Sequence, residues 1–417
     1  MRQVDIIRPS SINAINGPIG TLKRILRNRD FFVSKGYDVT LFVNESVNQG
    51  PYKDIPLQQN QSGSAKSLGQ RLGITYWLRS MARNKHWAAV LIHYKGMKAI
   101  ERLVDYYLSF DREPDIVQFH SSAECFHYLK KRKVKKAKTV LFLHTDGIPF
   151  KMELESLPAL EGTAYYERQK ENFKWTIEHV DRIVFIARIG QKNFLQYFQN
   201  RSLEDTSVII NGLDDLNEEQ RQIVSSIKGV FQESEFKYRL CCAGTISYRK
   251  GQRIVIEALQ QLPSDLLKIT HVDFIGDGAE RIDLEQYVRD NDLSDHVRFL
   301  GSIPNTEVYK RLAENNIYIL MSKNEGLPIS IIEAMRVGLP TISTSVSGIP
   351  ELVEEGYNGF LLNPDVDELT ALLRKLPDYD WRQMGKNSRI RFEKEFTFER
   401  MEEEFCNMYD KTIKLYK

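Results

Sequence analysis

Twelve short apolar runs, spaced by longer helix-like segments, dominate the 417-residue chain and fall into two series. The first lies at residues 4–8, 38–43, 116–120, 140–144, 182–187 and 208–210. The second lies at 239–243, 272–275, 297–300, 317–321, 341–343 and 360–362. The runs are rich in Val, Ile and Phe and alternate little, as strands do when helices cover both faces of a sheet. Strand and helix in repeated alternation predict parallel α/β architecture. The chain is also longer than one hydrophobic core usually supports. Because the series restarts after Asn211-Gly212, the expected organisation is a first domain over 1–211 and a second over 212–396. A final helix is expected over 397–417.

Composition narrows the functional classes. A net charge of +2 gives no global field for nucleic acid, and no apolar run approaches the ~18 residues of a membrane helix. The opening MRQVDIIRPSS runs straight into a strand without an apolar leader region. The four cysteines, Cys125, Cys241, Cys242 and Cys406, lack zinc-ligand spacing. Reduced, mostly buried thiols in a cytoplasmic protein are therefore expected, with no metal site. Two stretches look like additions. Residues from about 58 to 110 mix Lys66, Arg71, Arg79, Arg83, Lys85, Lys95 and Lys98 with Trp77, Trp87, Leu91, Ile92 and Tyr94. The mixture fits amphipathic helices on an anionic membrane surface, peripheral to its inner face, and equally an ordinary helical insertion with a solvated basic face. KKRKVKKAK at 130–138 reads either as solvated helix ends or as a site for phospholipid or an anionic acceptor.

The densest chemical signal is NEGLPISIIEAMRVGLPTISTSVSGIPELV at 324–353. A strand ends just before it, Glu325 and Gly326 lie in the connecting turn, and Pro328 suits a first helical turn. Glu333 stands eight residues after Glu325, about two helical turns in. Unpaired amides and the positive dipole end favour phosphate at such a helix start. One carboxylate in the loop and one further along suit the sugar and ribose hydroxyls of a nucleotide-sugar. A second element, CAGTISYRKGQRIVIEAL at 242–259, sets Arg249 and Lys250 at a strand's carboxyl end, where open α/β sheets bind ligands. Their charge suits a departing diphosphate; the bland alternative is a pair of surface cations at a helix start. In the first domain, SSINAINGPIGTL has Gly17 and Gly20 opening a helix. His144 ends one strand, in VLFLHTDGIPF, and His120 another, in DIVQFH.

The 324–353 string resembles the carboxylate motif of family 4, the retaining glycosyltransferases of GT-B fold, also called glycosyl transferases group 1. The resemblance implies two Rossmann-like domains with a donor/acceptor cleft between them, and a last helix that crosses back to the first domain. It implies contacts from Glu325 to donor-sugar hydroxyls and from Glu333 to the ribose. Gly326, Leu327 and Pro328 would line the sugar and phosphate pocket, and backbone near Ile303 would receive the base. Lys250 matches the family's Lys-Gly, whereas Thr245 stands where an arginine is expected, with Arg249 as candidate substitute. Gly17 would approach the donor phosphates and His144 the transferred sugar, so Glu325, Lys250 and His144 are the catalytic candidates. VIINGLD at 208–214 resembles the hinge motif, with Ala187 where a serine is common. The expected reaction moves a sugar from a nucleotide-diphosphate-sugar, with UDP-sugar favoured, to a glycan, lipid-linked or protein acceptor. Front-face substitution with retention is expected, with no cofactor and no metal, since the donor region has no DxD-type motif. Two rivals stand beside it. A GT-B epimerase, hydrolase or phosphorylase would need a further acid/base group or cofactor. A catalytically weak scaffold would bind donor and support a partner enzyme.

Overall fold

Each series of apolar runs forms its own six-stranded sheet, and neighbouring strands in both sheets run parallel. In this computed structural model the structure describes residues 1–11, 18–54, 81–110, 112–133, 135–231 and 235–414. They divide into two units. The first is Met1–Ile186, Gly190–Ile209 and Glu402–Lys417, and the second is Ala187–Ile189 and Ile210–Met401.

The first sheet contains β1 (Arg2–Ile7), β2 (Tyr37–Phe42), β3 (Ile116–Phe119), β4 (Lys138–Leu143), β5 (Arg182–Phe185) and β6 (Thr206–Val208), in the order β2-β1-β3-β4-β5-β6. The last of these lies earlier than the expected 208–210. Val208 already pairs with Phe185, the end of β5, so the chain leaves the sheet at Ile209. The sheet is covered partly by the helix His86–Leu108, whose Leu103, Val104 and Tyr107 pack with Phe42 and Phe119. That helix lies within the stretch expected as an addition, yet it is part of the first core. Its buried Tyr107 hydroxyl also donates to the fully buried Asp5, which takes two further hydrogen bonds from Arg112. The rest of the stretch, with Lys66, Arg71, Arg79 and Trp77, lies outside the described residues or at their margin.

The second sheet contains β7 (Tyr238–Ala243), β8 (Thr270–Ile275), β9 (Val297–Gly301), β10 (Ile317–Leu320), β11 (Thr341–Thr344) and β12 (Gly359–Leu362), in the order β12-β11-β10-β7-β8-β9. Strand order thus reverses between β1 and β3 in the first sheet and between β7 and β10 in the second. At such a point the connections leave in opposite directions and open a crevice beyond the strands' carboxyl ends, where α/β sheets bind ligands. Within the second unit, Gly212 packs so closely on Thr397 that an added Cβ would meet Thr397 O at 2.2 Å. Leu213 N donates to Phe396 O and Phe398 N to Leu213 O, fixing the start of the helix Phe398–Lys414. That helix buries Phe398, Met401, Phe405, Met408 and Tyr409 at three- and four-residue spacing, and its residues from Glu402 onward belong to the first unit. All four cysteines are buried and free. Among the described residues no helix is long and apolar enough to cross a membrane.

Candidate active site

The crevice between β7 and β10 gathers three of the expected residues. Arg249 and Lys250 follow β7 in a short helical turn, and Glu325 follows β10. Lys250 Nζ lies 2.6 Å and Arg249 Nη1 3.1 Å from Glu325 Oε1. Ser322 Oγ donates to the same oxygen at 2.8 Å, and among the described residues nothing donates to Oε2. Burial opposes ionisation of Glu325, but the charges of Lys250 and Arg249 and the hydrogen bonds from Lys250 and Ser322 outweigh it. Its carboxyl is thereby held below the usual carboxylate range, and the group is an anion at neutral pH.

Backbone geometry holds this cluster. Gly251 follows Lys250 with φ 69°, and a Cβ there would meet Met321 O at 2.0 Å. Only glycine lets the β7 loop press against the end of β10. Arg249 Nη1 also donates to Asn324 O at 2.7 Å, and Lys323 N donates back to Arg249 O at 2.8 Å. Two groups that the motif reading passed over brace the loops. Buried Gln252 donates to Thr245 O and accepts from Ser247 N. Ser347, at φ 50°, donates to Asn324 Oδ1 at 3.0 Å.

The other expected residues are placed as follows. Gly326 and Leu327 are buried in the turn after Glu325, and Gly348 N donates to Gly326 O at 3.1 Å. Pro328 is the N-cap rather than a residue of the first turn, because the helix runs over Ile329–Arg336. Glu333 is consequently one turn into the helix, not two; three of the intervening residues belong to the loop. Thr245 is exposed on the β7 loop, and Ile303 is half-buried in the loop after β9. Gly17 lies outside the described residues. A larger cavity, about 1490 Å³, lies at the opposite ends of these strands, beside Tyr238, Asn316 and Pro340. It shares none of these residues.

The first unit has a polar cluster at its own point of strand reversal. Arg8 follows β1, His120 follows β3 and His144 follows β4. Arg8 Nη1 donates to His120 O at 2.9 Å, and His120 Nδ1 lies 2.9 Å from His144 Nε2 with the two rings stacked. Burial, then the nearby charge of Arg8, lowers the His144 pKa to about 3. Burial, His144 and Arg8 hold His120 well below the usual imidazole range. Both rings are neutral at physiological pH. They line a cavity of about 350 Å³ with Arg8, Met97, Phe150 and a second histidine cluster. There His93 Nε2 lies 2.5 Å from Glu153 Oε1, and Tyr166 donates to Glu153 Oε2 at 2.8 Å.

Two parallel α/β sheets with these strand orders are those of the GT-B fold. Residues 223–391, within the second unit, match the family model described as glycosyl transferases group 1. The chain is a transferase enzyme. Among its relatives, the amylovoran biosynthesis glycosyltransferase AmsK of Erwinia amylovora is 24% identical over 383 residues, covering 86% of this chain and 88% of that one. An uncharacterized glycosyltransferase of Methanocaldococcus jannaschii, MJ1069, is 22% identical, with 91% of each chain covered. Among solved structures, sucrose-phosphate synthase from Thermosynechococcus elongatus superposes with TM-score 0.73 at 17% identity, covering 98% of both chains. HepE of Anabaena in complex with UDP gives 0.66 at 17% identity, over 98% of this chain and 100% of that one.

Proposed function

We propose that the enzyme transfers a sugar from a nucleotide-diphosphate-sugar, UDP-sugar before others, to a hydroxyl of a glycan, lipid-linked or protein acceptor, with retention of configuration. The observation that carries this reading is the meeting of Lys250 and Arg249 with Glu325 Oε1, which leaves Oε2 open. A diphosphate entering the crevice competes for the two cations, and Glu325 Oε2 then accepts from a sugar hydroxyl. Gly326, Leu327 and Pro328 line the phosphates beside the amides of Ile329–Arg336. Glu333 takes the ribose, the loop at Ile303 the base, and exposed Thr245 edges the donor loop. His144 is the catalytic candidate of the first unit, proposed to meet a sugar substrate. Support comes from the HepE structures, which hold UDP, UDP with glucose, or UDP-glucose.

In the reaction the bond from the anomeric carbon to the leaving phosphate oxygen breaks while the acceptor oxygen bonds to the same face. The leaving oxygen takes the acceptor's proton. Lys250 and Arg249 stabilise its developing charge, which replaces the role of a divalent ion. His144 is a poor nucleophile candidate for a double displacement, because its Nε2 is engaged with His120 Nδ1. We further propose that the exposed basic residues of the first unit meet an anionic membrane surface. Trp87, Tyr94, Lys95 and Lys98 are exposed on the helix His86–Leu108, and Lys133 and Lys135 are exposed in the turn before β4.

Proton NMR of the first product from an α-linked donor, with and without EDTA, tests the reaction. An α-configured product formed at equal rate in EDTA is expected. A β-configured product would contradict retention, and loss of activity in EDTA would contradict cation replacement. Donor binding without transfer or hydrolysis would favour the scaffold instead.

A further inference from the structure

We infer that Tyr409, Gln118 and His120 form a hydrogen-bond relay that fixes His144 as an Nδ1–H donor, which makes Tyr409 a positioning residue of the first unit's site. Tyr409 OH lies 2.8 Å from Gln118 Oε1, Gln118 Nε2 lies 2.7 Å from His120 Nε2, and His120 Nδ1 lies 2.9 Å from His144 Nε2. Tyr409 and Gln118 are fully buried and His120 is nearly so. Each link in the series has one workable proton position. A phenol oxygen shares its lone pair with the ring and accepts weakly, whereas an amide carbonyl accepts well, so the phenol donates to Gln118 Oε1. The other end of that amide is then an NH₂ group, which has donors and no acceptor. His120 Nε2 must therefore be bare. A neutral imidazole carries one N–H, so the His120 proton sits on Nδ1 and points at His144 Nε2. That nitrogen is bare in turn, and the His144 proton sits on Nδ1.

Neutral rings are what the surroundings favour. Arg8 donates to His120 O, and Glu124 is occupied with the amides of His120 and Ser121 rather than with either ring. Phe142 stacks on His120 and Phe405 on Phe142, so the ring planes are also held. His144 Nδ1 has no hydrogen-bond partner among the described residues, and the ring lines the 350 Å³ cavity. His144 therefore offers a donor to a ligand oxygen and cannot serve as a base through a nitrogen already protonated. The kinetic part of this inference rests on the proposed contact of His144 with the sugar; the tautomer does not.

Gln118→Glu reverses the series, because a carboxylate accepts at both oxygens. His120 would then carry its proton on Nε2, and His144 on Nε2 as well. The full chain, labelled with ¹⁵N-histidine and assigned with a His144→Asn variant, is read by two-bond ¹H–¹⁵N correlation at neutral pH. Wild type is expected to show His144 protonated on Nδ1, Gln118→Glu on Nε2, and Tyr409→Phe a mixture. Gln118→Glu should also lower kcat about tenfold, the worth of one hydrogen bond, with the donor KM changed less than about twofold. Wild-type His144 protonated on Nε2, or a tautomer unchanged in Gln118→Glu, would overturn the relay. If Gln118→Glu does not fold, a tautomer unchanged in Tyr409→Phe has the same force. A reversed tautomer with unchanged kcat would overturn the positioning role and leave the transferase reading of the second unit intact.

Discussion

Lys250 Nζ and Glu325 Oε1 lie 2.6 Å apart although they follow different strands, β7 and β10, which the sheet order makes neighbours. Burying the pair costs desolvation, which three donors on one carboxylate oxygen offset. The same arrangement keeps two cations at the crevice for an incoming diphosphate.

Glu325→Gln keeps the shape and removes the charge. Transfer should fall by about 2–4 kcal/mol, roughly 30- to 900-fold. The stability effect has a definite sign. The folded pKa of Glu325 is lowered, so its contribution is present above the ordinary carboxylate value and is lost as pH falls through the lowered one. Denaturant midpoints of wild type and variant should differ at pH 7 and converge in acid. A constant difference across that range would show that Glu325 is not held as an anion.

Gly251→Ala tests the backbone contact. The left-handed φ and the overlap with Met321 O should together cost about 2–4 kcal/mol of stability. Nucleotide affinity should fall as well, since the Arg249–Lys250 turn must move off β10. A variant with normal stability and affinity would mean that the close approach is not needed.

Much of this was legible in the sequence, and the limits have physical causes. Fully buried parallel strands are continuous apolar runs, so both sheets were readable, whereas β6 was displaced because pairing with Phe185, not hydropathy, sets its end. The stretch around the helix His86–Leu108 reads as an addition because it is too long for a simple connection; that Leu103, Val104 and Tyr107 complete the first core is visible only in the fold. Glu325 and Lys250 could each be picked out by motif, but their contact depends on strand order, which spacing does not encode. Ser322, three residues before Glu325, was a usable signal that went unused. Ser347 gave none, since nothing about a serine announces a left-handed φ. Gln118 and Tyr409 are far apart in sequence and meet only in the fold.

The two neutral histidines predict acid sensitivity. Their folded pKa values lie below the unfolded one, about 6.5, with His144 at about 3. Between those values the unfolded chain binds more protons, so stability must fall as pH drops from about 6.5 toward 3. His144→Asn should make that decline shallower, as read from denaturant midpoints against pH. An unchanged slope would mean that His144 is protonated in the native state.

Anionic vesicles should bind the protein, and binding should weaken as salt rises, because exposed cations act through a screened field. Vesicles of neutral lipid should bind far less. Removing the charges of Lys95, Lys98, Lys133 and Lys135 together should lower the affinity. Equal binding to both vesicle types, or to neither, would assign this surface another role.

Calorimetric titration of the full-length wild type, Lys250→Ala and Glu325→Gln with UDP and then UDP-glucose tests the donor site most directly. Losing a charged hydrogen bond to diphosphate costs about 2–3 kcal/mol, so Lys250→Ala should bind UDP roughly 30- to 150-fold more weakly than wild type. Glu325→Gln should bind UDP at least as tightly as wild type and lose the part of the UDP-glucose affinity that the sugar adds. Wild-type affinity for both ligands in Lys250→Ala would place the donor away from the Lys250–Glu325 crevice and contradict the account.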